Sequence, residues 1–321
     1  MSKIVTIVGA TGQQGQAVIA AFADTPGYKL RGITRNPSSV SAQALVAQGI
    51  EVVKADINDL DSTTAAFQGS HIIFAVTDFY ALFQQHGPVK AKDLETQQGI
   101  VMAKAAAATA SLEHYIWSTL PNGTKEYPVP HFEGKHAVDN FIKQDSSLLT
   151  KTTFLVVCFY ANNLQIASFR PYWIDTVQKY VQFTTYSPDT PIPFIGDVRN
   201  ITPFVKAIVD RADEVKNGTI VIGAVHNWTA KEWVSAWATA QGKDVQLVRV
   251  PREQYDELFP HPRWSEEFAL MMDFFEHVPI NTWLPPDSEV HNAESLQIVP
   301  VQTLDEWAKT WELPDAKDST I

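Results

Sequence analysis

The segment Ile4–Val8 is an apolar run that passes directly into Gly9-Ala10-Thr11-Gly12-Gln13-Gln14-Gly15 and then into an alanine-rich stretch with helical periodicity. Three glycines at that spacing, between a strand and a helix, leave few folds open, because each meets a different steric demand. Gly9 permits the tight turn out of the strand, Gly12 lets backbone N–H groups approach a pyrophosphate, and Gly15 lets the helix pack close to the sheet. The N-terminus of that helix carries partial positive charge and unsatisfied donors, so it stabilises a bound phosphate. The segment reads as a dinucleotide loop, with Gly9, Thr11, Gly12, Gln13, Gln14 and Gly15 as its ligand contacts.

Downstream, apolar runs alternate with helical patterns in the order expected of repeated strand–helix–strand units. Strands are predicted near Lys3–Val8, Lys29–Thr34, Glu51–Lys54, His71–Val76, Tyr115–Ser118 and Thr153–Cys158. Helices are predicted over Gln13–Asp24, Ser39–Gln48, Ser62–Phe67, Lys92–Ala108 and Phe132–Lys143. Six strands and five crossovers make an α/β fold, a Rossmann-type doubly wound parallel sheet. After Phe159 the chain is rich in aromatics and in proline (Pro171, Pro188, Pro191, Pro193), which predicts a pocket wall rather than sheet. The helical stretch Ile201–Arg211 and a strand near Thr219–Ile222 return to the main sheet, and amphipathic helices at Ala230–Gln241, Arg252–Leu258, Trp264–Phe275 and Thr303–Trp311 give a smaller, mostly helical C-terminal lobe. The division expected is an NADP-binding domain over residues 1–158, rejoined by about 195–225, and a substrate-binding lobe over 159–194 and 226–321. The polar segment Pro314–Ile321 is expected to fray.

Charge and cysteine content exclude several classes of function. There are 25 Lys and Arg against 36 Asp and Glu, for a net charge of −11, and no basic run tracks a phosphate backbone, so direct nucleic-acid binding is not expected. A single cysteine, Cys158, rules out an intrachain disulfide framework and fits a reducing, cytoplasmic location. The longest apolar runs fall well short of the roughly 18 residues that a membrane span needs. No HExxH motif, metal-spaced carboxylates or nucleophile elbow is present, so no metal site is expected.

The end of the second strand distinguishes the two nicotinamide dinucleotides. An acidic residue there accepts hydrogen bonds from the ribose of NAD, whereas this chain has Thr34-Arg35-Asn36. A guanidinium at Arg35 can fork two hydrogen bonds onto a 2′-phosphate, which favours NADP(H); the alternative is a solvated loop charge. Lys54, Asp56 and Ile57 are placed to meet the adenine edge, and Asp56 is equally readable as a helix cap.

Reaction chemistry is expected in the loops beyond the carboxyl ends of strands four, five and six. Val76, Thr77, Asp78, Phe79 and Tyr80 follow strand four, Ser118 ends strand five, and Phe159, Tyr160, Asn162 and Asn163 follow strand six. Val76, Thr77, Phe159, Tyr160 and Asn162 are taken as cofactor contacts. Asp78, Phe79, Tyr80, Tyr127 and Asn163 are taken as pocket residues for a flat or cyclic substrate. In short-chain dehydrogenases a Ser at the end of strand five works with a Tyr four residues before a Lys on the next helix. None of the nine tyrosines here has a Lys four residues later. His131 occupies the Tyr place and Lys135 lies one turn on, on the same helix face. Lys135 can hold the nicotinamide ribose, His131 can pass a proton to a carbonyl oxygen, and Ser118 can orient that oxygen. His131 is equally readable as a residue of the helix N-terminus with no chemical role.

The ordered set Val8-Gly-Ala-Thr-Gly12-Gln-Gln-Gly15, Thr34-Arg35-Asn36-Pro37, Lys54-Ala-Asp56-Ile-Asn-Asp, Val76-Thr-Asp-Phe-Tyr80, Glu95-Thr-Gln-Gln98-Gly99, His131-Phe-Glu-Gly-Lys135 and Phe159-Tyr160-Ala-Asn-Asn163 resembles the NmrA-like proteins. These form an atypical branch of the short-chain dehydrogenase/reductase superfamily. The chain is also similar to the isoflavone reductase branch, whose catalytic Lys corresponds to Lys135. The resemblance implies one of two roles. One is an NADPH-dependent reductase acting on a small aromatic or secondary-metabolite substrate; the other is an NADP-binding redox sensor that regulates transcription factors through protein contacts. The partners expected are therefore a small-molecule substrate or, for a regulator, a protein, with a homodimer left open. The loops Tyr80–Lys90 and Pro171–Pro193 suit a substrate lid.

Overall fold

The computed structural model describes residues 2–23, 25–259, 262–285 and 287–312; Asp24, at the end of the first expected helix, and Pro314–Ile321 lie outside the described residues. The first half alternates strictly. Strands β1 (Lys3–Val8), β2 (Tyr28–Thr34), β3 (Glu51–Lys54), β4 (Ile72–Ala75), β5 (His114–Thr119) and β6 (Thr152–Val157) are separated by α1 (Gln13–Phe22), α2 (Val40–Ala47), α3 (Leu60–Phe67), α4 (Phe79–His86), α5 (Pro88–Ala107), α6 (Pro130–Gln144) and the short α7 (Ser146–Leu149). Every residue of β4, β5 and β6 is buried, as expected for parallel strands covered on both faces, so these strands do not show the alternation of a half-exposed sheet.

Further along come β7 (Phe159–Tyr160), β8 (Tyr172–Ile174), β9 (Lys179–Thr184), β10 (Pro191–Gly196), α8 (Ile201–Asp210), α9 (Ala212–Val215), β11 (Thr219–Gly223), β12 (His226–Thr229), α10 (Ala230–Ala240), β13 (Val245–Arg249), α11 (Arg252–Glu257), α12 (Pro262–His277), β14 (Val290–His291) and α13 (Leu304–Thr310). The main sheet has eight strands in the order β14-β11-β6-β5-β4-β1-β2-β3, all parallel. Strand order reverses between β1 and β4, which opens a crevice at their carboxyl ends. Helices α1 and α8 cover one face, tied together by the Thr202 hydroxyl donating to the Ala17 carbonyl at 2.8 Å. Helices α3, α5 and α6 cover the other.

Two expectations are corrected. The stretch after Phe159 is not free of sheet: β7, β10 and β12 form one three-stranded sheet and β8, β9 and β13 another. The prolines are tolerated because β7 pairs with β10 only at Phe194 and Gly196, leaving Pro191 and Pro193 without a ladder partner on that side. The stretch from Tyr80 to Lys90 is not a loop but α4 and the first turn of α5, joined at Gly87, whose φ of +76° is left-handed. These C-terminal strands and α10, α12 and α13 surround an aromatic core that includes Phe159, Trp233, Trp237, Phe274, Trp283 and Trp307. Among the described residues no helix is long and apolar enough to cross a membrane.

His114, the first residue of β5, couples the fold to pH. Its Nε2 lies 2.7 Å from the Thr153 hydroxyl, which itself donates to the Val215 carbonyl at 2.6 Å, so Nε2 carries the ring proton. Burial, assisted by the Lys216 charge, pulls the pKa down to about 3, against roughly 6.5 in an unfolded chain. The unfolded state therefore binds the extra proton between those values, and the stability contributed by neutral His114 is complete above pH 6.5 and lost as pH falls toward 3. Urea unfolding of His114→Gln from pH 7 to pH 4 is expected to show a flatter loss of stability than wild type, by on the order of a few kcal/mol; parallel curves would show that His114 is not the acid-sensitive group.

Candidate functional site

The loop after β1 shows how the sequence makes room for a ligand. Gly9 has a φ of +68°, and its carbonyl accepts from Gly12 N–H at 2.8 Å, which closes the turn. A Cβ on Gly15 would lie 2.2 Å from the Gly9 carbonyl oxygen and 2.6 Å from Ala10 Cα, so only glycine lets α1 sit this close to the loop. Gly12 caps α1 without a side-chain hydrogen bond, and the first-turn N–H groups have no side-chain acceptor in place of an anion. Thr11, Gly12 and Gln13 are exposed around this turn, and Gln14 reaches inward. The Gln14 amide accepts from the Ser118 hydroxyl at 2.8 Å and donates to the Tyr160 hydroxyl at 3.0 Å, joining the loop after β1 to the ends of β5 and β7.

At the other end of the crevice, Arg35 and Lys54 are both exposed, and Arg35 forms no ion pair among the described residues. The ends of β2 and β3 are held side by side by Ala55 N–H donating to the Thr34 carbonyl at 3.0 Å. Asp56 does not cap α3; Asp59 does, accepting from Asp61 and Ser62 N–H. The Asp56 carboxylate instead holds Asn58, whose side-chain oxygen takes a hydrogen bond from Gln98 at 3.0 Å, with Ile57 half-buried between them in sequence.

Helix α6 carries a row of buried polar residues. His131, Lys135 and Asp139 are spaced by four and all three are buried, so they line one face of the helix. The Lys135 ammonium donates to the carbonyls of Thr77 and Ser118, each at 3.3 Å, lies 3.5 Å from Glu95 Oε1, and sits 4.8 Å from the centre of the Trp117 ring. Lys135 is 5 % exposed and Glu95 is 0 %. Burial pulls the Lys135 pKa below its usual value, and the Glu95 carboxylate opposes that pull. Lys135, expected to hold the nicotinamide ribose, is bonded here to the ends of the neighbouring strands β4 and β5, because an ammonium this deep needs an acceptor for each N–H. The Thr77 hydroxyl donates to Glu95 Oε1 at 2.7 Å, and Asp139 accepts from Trp117 Nε1 at 2.7 Å and from the Thr119 hydroxyl.

One turn earlier, His131 Nδ1 is 2.6 Å from Glu267 Oε1 on α12, and the same oxygen accepts His131 N–H at 3.2 Å. The carboxylate holds the ring proton at Nδ1, and Nε2 has no protein partner among the described residues. His131 is 4 % exposed, beneath Phe79 and Tyr80, with ring centroids 5.7 and 5.5 Å away. Tyr80 stacks on Trp264 at 5.3 Å, and burial, with the Glu267, Glu95 and Asp78 charges, pushes its pKa well up.

The remaining expected residues divide between the site and the scaffold. Val76 lies 3.2 Å from where a Cβ on Gly9 would be, against the dinucleotide loop. Asp78 is the N-cap of α4, accepting from Ala81 N–H. Tyr127 stacks on His277 at 4.8 Å. Phe159 points into the aromatic core, edge-on to Phe169, Phe194 and Trp233, so it offers a ligand main chain only. The Asn162 side-chain oxygen accepts from Trp307 Nε1, and the Asn163 main-chain carbonyl accepts from Ile166 N–H, so the loop after β7 is fixed by one side-chain amide and by backbone. Sequence reasoning did not assign Glu95 or Glu267. For Glu95 a signal existed: Ala91, Glu95, Gln98 and Met102 form the buried stripe of α5, and a carboxylate there interrupts an otherwise uncharged face.

A family model described as the NmrA-like family matches residues 1–308. The chain belongs to the NmrA-like family. An NmrA-like family domain-containing oxidoreductase of Aspergillus hancockii is 25% identical over 312 residues, covering 92% of this chain and 89% of the relative. Two solved structures share the fold. NmrA, a negative transcriptional regulator, in complex with NADP superposes with a TM-score of 0.73 at 20% identity, over 96% of this chain and 95% of that one. An NADPH-dependent quinone oxidoreductase from Escherichia coli, complexed with NADPH, gives a TM-score of 0.69 at 18% identity, over 95% and 98%.

In this NmrA-like chain, removing the cation at position 135 leaves Glu95 buried without its counter-charge. Lys135→Met is expected to cost roughly 3–5 kcal/mol, read by urea denaturation. The double variant Lys135→Met, Glu95→Gln is expected to regain part of that loss; strict additivity of the two single variants would show that the pair is not coupled.

Proposed function

We propose that this chain is an NADP(H)-dependent oxidoreductase that reduces a C=O, C=N or activated C=C bond in a small aromatic or cyclic metabolite. The uncapped N-terminus of α1 and the glycine cradle that a Cβ would fill fit a dinucleotide pyrophosphate. Arg35 would hold the 2′-phosphate and Lys54 and Ile57 the adenine side, while Thr77, Ser118 and Tyr160 border the nicotinamide end. When bound there, the nicotinamide supplies hydride.

The observation that carries the enzymatic reading is the His131–Glu267 pair. A carboxylate that fixes Nδ1–H leaves Nε2 to hold a proton and release it to the oxygen or nitrogen that hydride addition makes basic. Glu267 then stabilises the imidazolium before transfer and the correct tautomer after it. Lys135 acts through the main chain, holding the ends of β4 and β5, so its part is positioning. Ser118, already donating to Gln14, has lone pairs rather than a proton to offer a substrate. Tyr80, Trp264 and Phe268 would form the apolar wall that faces the substrate ring, with the segments 159–194 and 226–321 as the substrate-binding lobe.

One observation favours the second reading, an NADP(H)-binding regulator that works through a protein partner: His131 is almost covered by Phe79 and Tyr80. A catalyst needs α4 to move aside for substrate, whereas a regulator does not. Single-turnover oxidation of bound NADPH against aromatic and cyclic ketones, enones and imines separates the two. The expected outcome is oxidation with one substrate class, reduced at least about a hundredfold in His131→Phe. Tight NADPH binding with no oxidation across the panel would favour the regulator. In the same assay format, Arg35→Ala is expected to weaken NADPH binding about tenfold or more while leaving NADH nearly unchanged; equal losses would remove Arg35 from 2′-phosphate recognition.

A further inference from the structure

The Glu95 carboxylate is fully buried on a stripe of α5 that otherwise packs Ala91, Gly99 and Met102, and its Oε2 has no hydrogen-bond partner among the described residues. A buried carboxylate is costly unless it is paired, and three neighbours are shaped around this one. Thr77 donates to Oε1 at 2.7 Å, and Lys135 approaches Oε1 to 3.5 Å. Gly134 lets α6 come close, since a Cβ there would stand 2.9 Å from Oε2. The charged groups that face Lys135 are Glu95 from α5, Asp139 from α6 and Asp78 after β4. Asp139 is spent on Trp117 and Thr119, and Asp78 is an exposed cap of α4. Glu95 is therefore the one buried counter-charge aimed at the ammonium.

We propose that Glu95 is a positioning residue for the dinucleotide reaction: together with Thr77 it keeps Lys135 charged and aimed at the Thr77 and Ser118 carbonyls, and so sets the nicotinamide end of the site. The proposal rests on the NADP(H) reading above and extends it to a residue outside the dinucleotide loop. A carboxylate that merely fills space in the core would be replaceable by its isosteric amide without changing how binding depends on pH. A carboxylate that holds an ammonium would not, because opposite charge at this distance favours the protonated lysine.

The experiment is a fluorescence titration of NADPH, and separately of adenosine 2′,5′-bisphosphate, against wild type and Glu95→Gln from pH 6 to pH 10. The bisphosphate probes the α1 and Arg35 end alone. Glu95→Gln is expected to bind it as wild type does, to bind NADPH about tenfold more weakly, and to lose NADPH affinity at a pH at least about one unit lower than wild type. Thr77→Val, which keeps the charge but removes the hydroxyl, is expected to shift the NADPH profile in the same direction by less. It decides the matter if Glu95→Gln does not fold. Unchanged NADPH affinity and pH dependence in these variants, or equal loss of both ligands, would overturn the Glu95 proposal while leaving the cofactor reading intact. Failure of wild type to bind NADPH at all would overturn the cofactor reading itself.

Discussion

The approach of α1 to the loop after β1 is the contact on which the site depends. With a Cβ at position 15 placed 2.2 Å from the Gly9 carbonyl, no other residue lets the helix start where it does. That start puts an uncapped N-terminus at the carboxyl end of β1, beside the point where strand order reverses. It also brings Gln14 within hydrogen-bonding distance of Ser118 and Tyr160, so the loop after β1 is tied to the far side of the crevice through one side chain. A shift of α1 by the length of a methyl group would break the anion cradle and this bridge together.

Against that frame, α6 works as the hub of the buried polar groups. His131, Lys135 and Asp139 project from one face, and each meets a partner from a different element: Glu267 on α12, Glu95 on α5, and Trp117 with Thr119 on β5. Each pair is expensive to bury, and an apolar face would pack at lower cost. What the polar face provides is a fixed imidazole tautomer and two strand ends held by an ammonium, the geometry on which the proposed reaction rests. The position of Glu267 ties α6 directly to α12 of the C-terminal segments.

The parts legible in the sequence are those governed by local rules. The strands β1 to β6 and their helices stand out because a parallel sheet buried on both faces leaves long apolar runs, and the first loop stands out because its glycines are sterically required. His131 and Lys135 were findable from their place on the helix after strand five, spaced as the Tyr and Lys of short-chain dehydrogenases are. Of their carboxylate partners, Glu95 left a trace as a charge on the buried stripe of α5, whereas Glu267 is 136 residues from His131 in the chain and nothing local marks it. Strand β8 escaped because it has only three residues, and β10 because two prolines sit on a strand edge that takes no ladder bond. Helix α4 was missed although Asp78 and Gly87 bracket it and Phe79 and Phe83 share a face; its aromatic residues read as pocket lining. Asn162 and Phe159 read as ligand contacts because the loop position was right, while their side chains turned to Trp307 and to the aromatic core.

The most direct test of the account is the crystal structure of the protein with NADPH bound. The expected result has the pyrophosphate across the turn at Gly12, the 2′-phosphate beside the Arg35 guanidinium, and the nicotinamide resting on Thr77 and Ser118 within reach of His131 Nε2. A dinucleotide bound away from the Gly9–Gly15 loop, or a nicotinamide turned away from Ser118 and His131, would contradict it.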